Sequence, residues 1–132
     1  MKTLRLFDTV RDYPLWADWW EAKKLRPVPR DLLPSVGLTV SQPNGVPICM
    51  GFLGTDHGPA AALVNVAGNP TLPPKVRGAG LDRLMQALVD LARQSGYTVI
   101  CAATNVPALQ ARYEKLGFFV TDRNVTHYGR TL

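Results

Sequence analysis

Val76-Arg77-Gly78-Ala79-Gly80-Leu81 joins an irregular segment to the most regular apolar periodicity in the chain. Glycines let a backbone turn tightly, so several N–H groups can converge on one point. The first turn of a following helix adds unpaired donors and the positive end of its dipole. Such a constellation cradles phosphate. Lys75 and Arg77 add formal charge, so Lys75, Arg77, Gly78, Ala79, Gly80 and Leu81 are the first candidate anion-binding residues, with a plain tight turn as the alternative. No Gly-Lys-Ser/Thr follows, as a P-loop requires, and the glycines are too few for a dinucleotide fingerprint. Two cysteines, Cys49 and Cys101, each sit in an apolar stretch and read as buried small hydrophobes. They make neither a disulfide scaffold nor a metal cluster, and no metal is expected.

The elements that must position these residues follow from pattern. At 132 residues the chain is expected to be one domain, 1–132. A hydrophobic share of 46% and a charged share of 19% exclude a disordered tail. The net charge of +5 favours an anionic partner without naming it. No apolar run approaches the roughly eighteen residues of a membrane span. Residues 1–12 lack the apolar stretch of a secretory signal, so a reduced, cytoplasmic setting is expected.

Alternation over 3–8 suits a strand, and Asp12 with Pro14 marks a helix start. In that helix Leu15, Trp16, Trp19 and Trp20 form one apolar stripe, with Lys23 and Lys24 at its end. Pro27, Pro29 and Pro34 leave room only for a helical turn at 30–33. Strands are expected at 36–42, 46–55 and 60–67, joined by Pro43-Asn44-Gly45 and Asp56-His57-Gly58-Pro59 as an antiparallel meander. Residues 80–95 follow a 3.6-residue period and Gly96 stops them. A continuous apolar run at 97–103 predicts a strand covered on both faces. Asn105 or Thr104 is expected to cap a helix reaching Leu116, and strands are expected at 118–122 and 125–131. The fold class is therefore α/β (α+β), a mixed, mostly antiparallel sheet of about six or seven strands flanked by helices.

Asn105-Val106-Pro107-Ala108-Leu109-Gln110-Ala111-Arg112-Tyr113-Glu114-Lys115-Leu116-Gly117-Phe118 carries a specific resemblance. A helix opening with Asn, then Ala, and closing in Tyr-Glu-Lys-Leu-Gly-Phe resembles the second acyl-CoA motif of the GNAT superfamily of N-acetyltransferases. Arg77-Gly78-Ala79-Gly80 falls where that family keeps its Arg/Gln-x-x-Gly-x-Gly/Ala pyrophosphate loop. The spacing of one helix plus one strand matches too, and the element order matches along the whole chain. One residue departs: the last small position of the loop motif is Asp82. A carboxylate there repels a pyrophosphate unless it turns away or pairs with Arg77 or Arg83.

The resemblance implies acetyl-CoA as cosubstrate. The backbone of Leu63, Val64, Asn65 and Val66 would bond its pantetheine arm where their strand splays from its parallel neighbour. Gly78 to Asp82 would offer amides to the pyrophosphate, and Asn105 and Ala108 would line the cofactor. Tyr113 matches the tyrosine that protonates the departing thiolate in many members, with a packed core aromatic as the alternative. A phenol of pKa near 10 suits that task. No carboxylate stands between residues 60 and 70 to serve as general base. His57, Asp56, Asp8, Asp122 and His127 are candidates, His127 being preferred because the last strand often walls the acceptor site; a water relay would also suffice. Trp16, Trp19, Trp20 and Tyr128 fall where the acceptor pocket is built, though three tryptophans on one helical face equally form a core.

The resemblance implies transfer of an acetyl group from acetyl-CoA to a primary amine of a small molecule or a protein, and direct transfer is expected because no activated Cys or Ser stands out for a covalent route. A GNAT-shaped protein that holds CoA or a partner without turnover is the competing reading, favoured by Asp82 and by the missing strand carboxylate. Neither a nucleic-acid nor a membrane partner is expected, since the positive charge is scattered. A homodimer is compatible with this reading.

Overall fold

The computed structural model describes residues 2–104, 106–126 and 128–132, and for Asp56 and His57 the backbone alone. The chain opens with strand β1 (Thr3–Leu6) and helix α1 (Tyr13–Ala22), then a helical turn at Arg30–Leu32. Strands β2 (Val36–Ser41), β3 (Pro47–His57) and β4 (Ala60–Gly68) follow, then α2 (Pro74–Gln94), β5 (Val99–Ala102) and α3 (Pro107–Lys115). The sheet order is β1-β2-β3-β4-β5. Three pairings are antiparallel, and the fourth, β4 with β5, is parallel because α2 carries the chain back across the sheet.

Each sheet face has its own helix. Trp16 and Trp19 of α1 pack with Met50, Phe52 and Ala67 on one face. Leu84, Met85 and Leu88 of α2 pack with Leu38, Val40, Ile48 and Leu63 on the other, where Tyr113 of α3 joins them. The tryptophan stripe is therefore core. Trp20, half-buried, stacks on Trp16 at 4.9 Å, and its indole N–H donates to Arg26 O at 3.1 Å. The Tyr13 hydroxyl donates to Val28 O at 2.8 Å, so the proline-rich segment is fastened to the same helix.

Asp12 occupies the N-cap position of α1 without capping it. Its fully buried carboxylate accepts from both Arg5 Nη atoms at 2.6 and 2.7 Å, from the Asp8 N–H at 2.8 Å and from Thr39 Oγ1 at 3.1 Å. Burial pushes this carboxyl upward, but the Arg5 bond and charge and the two other donors outweigh it and hold its pKa below the usual range. One side chain thus ties β1, the turn before α1 and β2 together.

The structure departs from the pattern reading in four places. Helix α2 begins at Pro74, not Gly80, with Pro73 as its N-cap. Proline at the first helical position is pre-set for the helix, and this start signal overrides two glycines that each cost only about 1 kcal/mol inside it. Val106, not Asn105 or Thr104, is the N-cap of α3; it is held extended because Pro107 follows. Residues 118–122 form no strand, nor do the described residues of 125–131. Although β5 offers an open edge, the described residues here do not pair with it, and Phe119, Val125 and Tyr128 stand exposed. Among the described residues the sheet accordingly has five strands, β5 lies at one edge, and Val99 and Cys101 are exposed rather than covered.

Candidate active site

The β4–β5 pairing runs from Ala60 opposite Val99 to Leu63 opposite Ala102 and stops, while β4 continues to Gly68. Beyond Leu63 the β5 side of β4 has no partner strand among the described residues. Across the other edge, Met50 faces Ala67 and Phe52 faces Val64, so Asn65 and Val66 together oppose Gly51. This is a β-bulge, and Asn65 carries it at φ 54°. Asparagine is several-fold enriched in that left-handed region because its short polar side chain tolerates it. The bulge turns the Asn65 carbonyl toward α1, where the buried Trp16 indole donates to it at 2.9 Å. Of the four residues expected to meet an extended arm, Leu63 lies inside the β5 pairing, and Val64, Asn65 and Val66 lie past it. An asparagine inside an apolar strand was the signal for this bulge.

Helix α2 starts just after β4 ends. Its first intrahelical bond runs from Arg77 N–H to Pro73 O at 3.0 Å, so the amides of Lys75 and Val76 precede the helical ladder. The amides of Gly78 through Asp82 lie within the helix, where they bond backward. The convergent donors are thus one turn earlier than the glycines suggest. Lys75 and Ala79 are exposed and border a cavity of about 370 Å³ with Lys2, Pro43 and Ile48. Leu81 packs against the core.

The two glycines do different work. A Cβ on Gly80 would sit 2.4 Å from Ile48 Cγ2, so this glycine lets α2 approach β3. A Cβ on Gly78 would sit 2.6 Å from Arg112 Nη2. The Arg112 guanidinium lies over that gap, and its Nη1 donates to Gly78 O at 3.0 Å and to Asp82 Oδ1 at 2.5 Å. Asp82 therefore finds a counter-charge, but from α3 rather than from Arg77 or Arg83. Arg77 itself has a buried Nε with no hydrogen-bond partner among the described residues. Its charge and the desolvation around Lys23, at the end of α1, both lower the Lys23 pKa, desolvation being the larger cause. Arg112 was quoted within the α3 motif but given no role; its place over Gly78 and Asp82 is set by the packing of α3 on α2.

Tyr113 is 9% exposed, with its ring 5.2 Å from Phe118. Its hydroxyl has no hydrogen-bond partner among the described residues, and burial raises its pKa above 10. At neutral pH it is a protonated phenol with a free donor. Ala108 is exposed on the outer side of α3. Asn105 and His127 lie outside the described residues, as do the side chains of Asp56 and His57. Asp8 is committed to the N–H groups of Arg11 and Val10, which hold its pKa down and make it a poor base. Asp122 and Tyr128 are exposed on the C-terminal segment. Cys49 is buried and its thiol is pushed up to about 12, which removes it as a nucleophile. Cys101, against expectation, is exposed because β5 is an edge strand, and its thiol donates to Ala61 O at 3.3 Å.

An open strand edge, free amides at a helix start, an orphaned arginine N–H and a protonated phenol fit one ligand class. That ligand has an extended amide arm and an anionic end.

The mixed sheet, its flanking helices and the parallel β4–β5 pair are those of the GNAT acetyltransferase fold, which this chain has. It is similar to the ribosomal-protein-S18-alanine N-acetyltransferase of Escherichia coli, with a TM-score of 0.73, 21% identity, and coverage of 92% of this chain and 80% of that one. The glucosamine-6-phosphate N-acetyltransferase of Arabidopsis thaliana gives a TM-score of 0.71 at 11% identity over 97% of this chain and 98% of that one. An aminoglycoside N-acetyltransferase in complex with CoA gives 0.67 at 19% identity, over 99% and 96%. No protein-family model matches the sequence, and no curated protein is significantly similar to it. No helix among the described residues is long and apolar enough to cross a membrane.

Proposed function

We propose that this protein is an N-acetyltransferase that moves an acetyl group from acetyl-CoA to a primary amine by direct transfer. The observation that carries the reading is the unpaired edge of β4 beyond Leu63, placed between the start of α2 and the pairing of β4 with β5. Backbone groups of Val64 and Val66 on the open edge would bond the pantetheine arm, the Asn65 carbonyl being already engaged by Trp16. The Lys75 and Val76 amides and the Arg77 guanidinium would meet the pyrophosphate. Acetyl-CoA supplies an activated thioester.

Tyr113 holds the proton that the departing sulfur needs. Burial keeps that phenol neutral, and its lack of a competing partner leaves the O–H free to donate. Deprotonation of the amine falls to His127 or to a water held by β4 carbonyls. The acceptor is a small-molecule or protein amine. The competing reading, a CoA-holding protein without turnover, loses one of its two supports because Arg112 meets the Asp82 charge.

Acetyl-CoA is expected to raise the melting temperature by mass action. Tyr113→Phe is expected to lower turnover about ten- to a thousandfold with CoA affinity nearly intact, read by free-thiol release against a panel of amines. No thermal shift at millimolar acetyl-CoA would defeat the proposal, and an unchanged Tyr113→Phe rate would remove the acid.

A further inference from the structure

Asp82 is the one residue that departs from the loop pattern, and the structure gives it a partner 30 positions away, in a different helix. The pair is half in solvent: the side chain of Asp82 is 53% exposed and that of Arg112 28%. A surface bridge of this kind contributes little to stability, so holding the fold together is a weak reason for it. Its geometry suggests another use. Arg112 spends one nitrogen, Nη1, on both Gly78 O and Asp82 Oδ1. Guanidinium has five N–H donors in a rigid fork. The donors on Nη2 and Nε have no partner among the described residues, and Nη2 lies where only a glycine at 78 leaves room. Gly78 and Asp82, four apart, share one face of the first turns of α2. The fork is therefore fixed by two acceptors at one corner and open along its other edge.

We infer that Arg112 is an anion ligand at the pyrophosphate end of the acyl-CoA site, reaching in from α3, and that Asp82 positions it. The inference rests on the acetyltransferase reading. An arginine held by a carboxylate loses less side-chain freedom when it binds, and its fork matches phosphoryl oxygens in a way that a lysine does not. Asp82 then contributes through Arg112 and does not touch the ligand. The repulsion expected of its charge is met by the guanidinium it orients.

Calorimetric titration of the whole protein with CoA tests this, alongside kinetics with acetyl-CoA and with acetyl-pantetheine, which lacks the phosphates. Arg112→Ala is expected to weaken CoA about ten- to a hundredfold, as loss of a charge-assisted bond does, and Arg112→Lys to restore it only in part. Asp82→Ala is expected to weaken CoA severalfold on its own, and to cause no further loss when Arg112 is already alanine, where removing the unmet carboxylate recovers part of the affinity. With acetyl-pantetheine, Arg112→Ala keeps its kcat/KM. Equal losses with both donors would mean that Arg112 only positions Tyr113, and would overturn the ligand role. Unchanged or tighter CoA binding by Asp82→Ala would overturn the positioning role. Wild-type protein that binds CoA while Arg112→Ala binds equally well defeats this inference alone; wild-type protein that binds no CoA defeats the acetyltransferase reading and this one with it.

Discussion

Gly78 and Gly80 look interchangeable in sequence, yet alanine at each should move stability in opposite directions. Both lie inside α2, where Gly→Ala gains about 0.8–1.0 kcal/mol of helix propensity. At position 80 the new Cβ would meet Ile48 Cγ2 at 2.4 Å, Ile48 Cβ at 3.1 Å and Cys49 Sγ at 3.4 Å. Ile48 and Cys49 are fully buried, so neither can retreat without moving the sheet. Overpacking a tight core costs about 1–3 kcal/mol, and contacts this close to buried atoms fall in the upper part of that range, so after the propensity gain the net loss for Gly80→Ala is about 1–2 kcal/mol. At position 78 the obstacle is the tip of Arg112, a flexible and partly exposed side chain that can swing aside. Losing a half-exposed bridge costs at most about 1 kcal/mol, so Gly78→Ala should be neutral or slightly stabilising. Urea unfolding with linear extrapolation measures both, and an unchanged m confirms that the comparison is between like states. Ile48→Ala removes the clashing methyl and Ile48→Val retains it. Gly80→Ala should therefore be partly compatible with Ile48→Ala and not with Ile48→Val. A Gly80→Ala protein as stable as wild type would refute the close approach of α2 to β3.

Arg5→Ala leaves the buried Asp12 carboxylate without its cation and should cost about 2–4 kcal/mol at pH 7. Asp12 has a lowered folded pKa, so its contribution is present above the ordinary carboxyl pKa of about 4 and is lost as pH falls through the lower folded value. The gap between variant and wild type should thus narrow toward pH 3; a gap constant with pH in urea titrations would contradict this. Asn65→Val forces a β-branched residue to φ 54° and should cost about 1–2 kcal/mol, whereas Asn65→Gly keeps the bulge within a few tenths. Thermal melts and CoA titration of the two variants should move together, since the same bulge shapes the open strand edge.

Much of the fold was legible because it rests on local periodicity. The Leu84-Met85-Leu88 stripe, the Pro14 start of α1 and the glycine turns of the meander needed no knowledge of partners. Residues 118–131 show where that logic ends. Alternation makes a strand available but does not decide whether it pairs, and the described residues of this segment stay unpaired although β5 offers an open edge. The same fact exposes Cys101, whose burial was expected from the apolar run around it. Tyr113 was legible as either a core aromatic or an acid; the structure packs its ring against Phe118 and leaves its hydroxyl without a partner among the described residues.

The order of elements, the helix faces and the region that could hold an anion were determined by the sequence alone, because periods of 2 and 3.6 and the habits of proline and glycine are local physics. Tertiary structure alone decided which glycine serves packing and which makes room for a cation. It also decided that Asp82 answers to Arg112 and that the Asn65 carbonyl answers to Trp16. Those pairings join residues 30 and 49 positions apart. Nothing in a local window specifies them; they exist because α1, α2 and α3 must each cover a sheet face, and the packed helices then bring these side chains within reach.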